Sequence, residues 1–202
     1  INLNGTLFFT ATTISNGTEL WKTDGTEAGT VLVKDINVLG SGGAPFGLTV
    51  MGNTLYFYAF TDANGSELWK SDGTNAGTVL VKDIQAGPGS SVSSDLMNVN
   101  GTLFFTANTT TEGNELWKSD GTTAGTLLVQ DINPGSASSS PTRITAVNAD
   151  VYFNATQGGT QYLMKTTGGG TGVTTLNNTV VSGGTFVSFY GFANKLFFMY
   201  DG

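Results

Sequence analysis

The 202-residue sequence contains no cysteine and no histidine. Those two absences together exclude thiol and imidazole nucleophiles, Cys/His zinc sites and Ser-His-Asp triads. The lack of cysteine also removes the usual clue to redox compartment. Proline is scarce, at 4 residues, and charged residues are only 11% of the chain. Basic residues number 8 against 15 acidic ones, for a formal net charge of −7, and Arg143 is the single arginine. Such a chain offers little to a phosphate backbone or an anionic lipid surface, so nucleic acid and membranes are not expected partners. No apolar run approaches the length of a spanning helix, and membrane insertion is not expected. The sequence opens on Ile1 rather than Met. We expect any export signal to have been removed or to lie outside this stretch.

Glycine is plentiful at 29 residues, and threonine, asparagine, serine and aspartate are abundant. Glycine and β-branched residues at this level disfavour long helices and favour strands joined by tight turns. A hydrophobic content of 39%, with 13 Phe and 3 Trp, is too high for a disordered chain. The length suits one large β domain or a short run of repeats.

The chain repeats itself. Trp21, Trp69 and Trp117 recur every 48 residues, each inside Glu-Leu-Trp-Lys. The similarity continues as TDGTEAGTVLVKDI from Thr23, SDGTNAGTVLVKDI from Ser71 and SDGTTAGTLLVQDI from Ser119. Upstream, NGTLFF from Asn4, GNTLYF from Gly52, NGTLFF from Asn100 and NADVYF from Asn148 keep step. A fourth copy is degenerate, with Tyr162-Leu163-Met164-Lys165 in place of Glu-Leu-Trp-Lys and Thr167 in place of the aspartate. A fifth starts near Thr185 and shows Lys195-Leu196-Phe197-Phe198. The repeats therefore divide as 1–45, 46–93, 94–141, a degenerate 142–184, and the start of a fifth at 185–202, in one β domain or part of a longer array.

Each period predicts four strands, in the second copy Gly47–Met51, Thr54–Ala59, Glu67–Ser71 and Thr78–Ile84. The first two meet at a short Asn/Gly turn of the hairpin type. The third and fourth meet across an Asp-Gly-Thr turn, where the aspartate accepts from backbone N–H groups and the glycines supply φ > 0. The other two connections vary between copies. Runs such as Leu103-Phe104-Phe105 are apolar on both faces of the pleat, so each sheet should be covered on both sides. An all-β fold of repeated four-stranded antiparallel blades, β-propeller-like, is the expectation. A β-solenoid is the alternative. Closure stays open at this point: four blades leave surplus strands and five leave the last half built. A longer chain, or completion by another copy, would resolve it.

The segments ELWKTDGTEAGT, ELWKSDGTNAGT and ELWKSDGTTAGT resemble the ELWxxDGT repeat family, over about residues 1–140. The resemblance implies a secreted or surface-attached bacterial protein with propeller-like units. It implies no activity and no catalytic residues.

The acidic residues recur with the repeat. Asp24, Asp72 and Asp120, with Asp35, Asp83 and Asp131, give two carboxylates per unit. Calcium is the functional reading, with Asp24, Asp72 and Asp120 as its candidates, since it takes six to eight oxygen ligands. The structural reading, which we expect, makes the first a turn cap and the second a strand end. Glu19, Glu67 and Glu115 could join them as a glycosidase pair, but an active site is a single constellation and these occur three times. No catalytic residue and no cofactor are expected. The tryptophans are expected in the core, with Trp and the preceding Leu on opposite faces of an inner strand.

Asn-x-Ser/Thr sequons occur at Asn4, Asn16, Asn64, Asn100, Asn108, Asn154 and Asn177. Asn4 and Asn100 read as turn chemistry. Asn16, Asn64 and Asn108 read as loop residues and are the candidate glycosylation sites. The variable loops gather at one end of the blades, with Ile14, Phe60, Asp62, Glu112 and the stretches Ser90–Ser94 and Ser136–Ser140 as a candidate binding surface. Unconstrained solvent loops are the equal alternative.

We expect a non-enzymatic, exported repeat protein, secreted or at the cell surface, acting as a structural or adhesive module. Its expected partners are other copies, through strand edges that can build filaments, or other surface proteins. The alternative is a lectin-like propeller binding glycans at one site per repeat.

Overall fold

The computed structural model describes residues 1–38, 42–92, 96–170, 172–176 and 185–201. All regular structure among them is β. The first sheet holds β1 (Asn2–Leu3), β2 (Thr6–Thr13), β3 (Gly17–Thr23) and β4 (Val31–Lys34). The second holds β5 (Phe46–Met51), β6 (Thr54–Thr61), β7 (Gly65–Ser71) and β8 (Val79–Lys82). The third holds β9 (Met97–Val99), β10 (Thr102–Thr109), β11 (Gly113–Ser119) and β12 (Leu127–Gln130). The fourth holds β13 (Thr142–Val147), β14 (Asp150–Gln157), β15 (Thr160–Thr167) and β16 (Thr174–Thr175). A fifth, of two strands, pairs β17 (Thr185–Phe192) with β18 (Lys195–Asp201).

Every four-stranded sheet is an antiparallel meander in chain order. This is the blade architecture the repeat predicts. The middle strands run longer than their apolar patterns: β6 keeps pairing with β7 out to Thr61 opposite Gly65, because ladder bonds need no apolar side chains. The tight hairpins form as expected. Asn4 and Gly5 take φ of 52° and 85°, and Asn100 and Gly101 take 50° and 84°, the pair of left-handed residues that a type I′ turn requires.

The core lies between blades. One cluster joins Leu3, Phe8, Leu20, Val33 and Ile36 of the first blade to Leu55, Phe57, Ala59 and Trp69 of the second. The next seam joins Tyr56, Tyr58, Leu68 and Val81 to Leu103, Phe105, Ala107 and Trp117. The third joins Phe104, Leu116, Val129 and Ile132 to Val151, Phe153, Ala155 and Met164. Leu20, Leu68 and Leu116 thus face the following blade, while Trp69, Trp117 and Met164 face the preceding one, as the pleat dictates. The fourth seam is smaller, with Leu163 against Phe186 and Phe189 and with Leu196 packed beside them.

Trp69 and Trp117 are each 8% exposed, as expected of core rings. Trp21 differs: it is only half-buried. It holds the same register opposite Phe9 that Trp69 holds opposite Phe57, but no blade among the described residues covers it.

Candidate functional site

The repeated polar residues sit at the two ends of the blades, and the turn end is held by the aspartates. Asp72 Oδ1 accepts from the Thr74 backbone N–H at 2.8 Å and from the Thr74 hydroxyl at 2.7 Å. Asp24 and Asp120 make the same pair with Thr26 and Thr122. These bonds, the hydroxyl first, hold all three carboxyls below the usual range. Gly29, Gly77 and Gly125 lie against the aspartates so closely that a Cβ there would overlap the carboxylate. The final Gly of each Asp-Gly-Thr-x-Ala-Gly segment is therefore required by space.

The lysines of Glu-Leu-Trp-Lys bridge to this end of the next blade. Lys22 Nζ donates to the Gly73 carbonyl at 2.7 Å, Lys70 to Gly121 at 2.9 Å and Lys118 to Gly170 at 2.8 Å. A second set runs from the outer strands, Lys34 to the Thr78 carbonyl at 2.9 Å and Lys82 to Thr126 at 2.7 Å. Lys165 breaks the series. It pairs with Asp150 of its own blade at 2.9 Å, a position that is Thr6, Thr54 and Thr102 in the other blades.

At the opposite end the glutamates are buried. Glu67 is fully enclosed and accepts from Ile84 N–H at 3.1 Å, Gln85 N–H at 3.4 Å, Ser91 N–H at 3.1 Å and the Ser91 hydroxyl at 2.5 Å. Glu115 binds Ile132 N–H, Ser139 N–H and the Ser139 hydroxyl in the same way. Glu19 accepts from Asn37 and Gly43 N–H at 3.4 and 2.6 Å. With Gly43 where the others have serine, Glu19 Oε2 has no partner among the described residues. Burial pushes all three carboxyls up, Glu67 to about 7, against the downward pull of these bonds.

Each glutamate anchors the connection that leads to the next blade. That connection is also bonded on both sides by its backbone: Ser91 N–H to the Ser66 carbonyl, and Asn108 N–H to the Ser91 carbonyl at 2.6 Å. Ser139 N–H is held by Glu115, and Thr156 N–H donates to the Ser139 carbonyl at 2.8 Å. Asn37, Gln85 and Asn133 accept from Asp62, Thr110 and Gly158 N–H in the neighbouring variable loops.

The candidate binding surface is thereby divided. Ile14 and Asp62 are exposed, Phe60 is half-buried, and Glu112 is tied to Thr109 and Thr111. Ser91 and Ser139 are enclosed glutamate ligands, so the serine stretches are in part framework. Ser93 and Ser94 fall outside the described residues.

Asp83 ends its strand as expected and accepts from Asn64 Nδ2 at 2.9 Å and Gly87 N–H at 3.1 Å. Asp35 accepts from Asn16 Nδ2 at 2.7 Å, and Asp131 from Gly135 N–H at 3.0 Å. The amide nitrogens of two sequon asparagines are thus engaged. Asn108 is not in a loop: it is an exposed residue of β10, opposite Asn114. Asn154 is enclosed and accepts from Thr142, and Asn177 lies outside the described residues.

Among the described residues no group of three or more Asp or Glu could hold a metal ion. The calcium candidates Asp24, Asp72 and Asp120 stand one per blade, each bonded within its own turn. The lysine bridges and the glutamate anchors were missed from sequence. The signal for the first was a lysine recurring every 48 residues in both strand positions.

No protein-family model matches the chain, and no curated protein matches it. Among solved structures, the chain is similar to a prolyl endopeptidase studied for inter-domain dynamics in catalysis and specificity. That likeness has 16% identity and a TM-score of 0.57, over 92% of this chain and 27% of that one. It is also similar to a puromycin hydrolase, with 12% identity and a TM-score of 0.56, over 96% of this chain and 31% of that one. The chain spans less than a third of the length of either. Both neighbours are β-propeller-domain proteins, and the likeness is one of fold: these are propeller-like blades.

Proposed function

We propose that this is a non-enzymatic structural or adhesive module of the ELWxxDGT type, exported to the cell surface or an extracellular assembly. The observation that carries this reading is the employment of the repeated side chains. Each motif Glu bonds the backbone of a blade connection, each motif Asp its own turn, and each motif Lys the next blade. The carboxylates that would serve a glycosidase are therefore spent on the framework, once per repeat. The surface left for recognition is the variable-loop end, around Ile14 and Asp62, where sequence differs between copies while the backbone is pinned.

A glycan array and a polysaccharide hydrolysis panel test the reading together. Silence on both is expected. Saturable sugar binding at several equivalent sites would transfer it to a lectin-like propeller. Turnover that Glu67→Gln abolishes would transfer it to an enzyme.

A further inference from the structure

Each internal seam is made of two halves, a back half on one blade and a front half on the next. Phe8, Leu20 and Val33 form one back half, and Leu55, Phe57, Ala59 and Trp69 the front half that receives it. The third seam repeats this with Phe104, Leu116 and Val129 against Val151, Phe153, Ala155 and Met164. Two halves have no counterpart among the described residues. The front of the first blade presents Leu7, Phe9, Ala11 and Trp21, in the register of Leu55, Phe57, Ala59 and Trp69. Leu7 is 46% exposed there, whereas Leu55 and Leu103 are 0% exposed. The back of the β17–β18 hairpin presents Tyr190, Phe192, Phe197 and Met199, all exposed. Within its Leu-Phe-Phe run, Phe197 holds the place of Phe8 and Phe104, the rings that fill the first and third seams.

We propose that the front face of the first blade binds the back face of the β17–β18 hairpin of a second copy, in the register of the internal seams. The occupant follows from continuity: the two open faces are opposite halves of an interface this chain builds repeatedly within itself. Contact between unlike faces is heterologous, so copies add head to tail into a ring or an open series. The contact is mainly apolar, with Lys195 and Asp201 at the two ends of the same hairpin face. With four apolar side chains between these two charges, the association is expected to depend little on salt.

The proposal rests on the structural-module reading, but its test is separate from sugar binding and turnover. Sedimentation of the full chain over a roughly hundredfold concentration range should show the mean mass rising with concentration. Leu7→Glu and Phe197→Glu should each sediment as single chains with unchanged circular dichroism. Leu7→Lys and Met199→Lys serve as the second pair if either fails to fold. An equimolar mixture of the front and back variants retains one intact contact and should give two-chain species and nothing larger. A wild type of single-chain mass at every concentration overturns the proposal. So does association that survives one of the two variants, or that weakens more than about tenfold between roughly 0.05 and 0.5 M salt.

Discussion

Glu67 makes the stability of this protein depend on pH in an unusual direction. Its carboxyl is enclosed, and burial outweighs four hydrogen bonds to bring its pKa to about 7, from an ordinary value of 4.5. The native state then holds a proton that the unfolded chain has released across that interval. Stability from this group is complete below the unfolded pKa and declines as pH rises through the folded one. At about 1.4 kcal/mol per unit, the full swing is about 3 kcal/mol. Glu67→Gln carries no titrating proton and keeps one oxygen to accept the Ile84 or Ser91 N–H. Its cost relative to wild type should be greatest near pH 4.5 and smaller by about 1–3 kcal/mol at pH 8. Urea unfolding followed by circular dichroism, at intervals from pH 4.5 to 8, measures this. The background slope from Glu19 and Glu115 is common to both proteins and cancels in the difference. If the two stability curves run parallel across that range, the assignment of a raised native pKa to Glu67 is wrong.

Three further outcomes are expected. At concentrations where the chain is single, Trp69→Ala should cost roughly 3–5 kcal/mol and Trp21→Ala roughly 1 kcal/mol by denaturant unfolding, since within one chain only the first ring lies in a described seam; equal losses would contradict the blade order. Gly77→Ala should destabilise by roughly 2 kcal/mol through collision with the Asp72 carboxylate, and a double-mutant cycle with Asp72→Ala should recover part of that loss; additive effects would mean the two do not meet. Calcium at millimolar concentration should leave the thermal midpoint unchanged, whereas a rise of several degrees would show that the turn aspartates hold it.

The strands and their facing were legible because they are properties of side-chain order. Leu68 and Trp69 are adjacent and both apolar, and the pleat alone sends them to opposite seams. What escaped were contacts whose second partner is backbone. Lys70 reaches the Gly121 carbonyl and Glu67 reaches the Ser91 N–H, and a peptide group leaves no mark in the sequence. The same blindness placed Asn108 in a loop, since the apolar run stops at Ala107 while the ladder continues to Thr109 opposite Gly113. It also cast the serine stretches as free surface, although Ser139 is a ligand of Glu115. Trp21 escaped for a different reason: its sequence context matches Trp69, and only its place at the open face exposes it.

The small cluster of the fourth seam sets an order of melting. Every earlier blade is tied forward by one or two lysines, through two or three ammonium-to-carbonyl bonds, as well as by its seam. Across the last seam, among the described residues, the buried cluster is Leu163 with Phe186 and Phe189, beside Leu196, and Gly191 lies against Val147 and the Ala146 carbonyl. In a linear array each unit is stabilised by its neighbours alone, so loss begins where the coupling is least. Amide protons of β17 and β18 should therefore exchange first, with protection retreating along the array one blade at a time. A thin apolar seam thus gives an otherwise repetitive molecule a defined fault line.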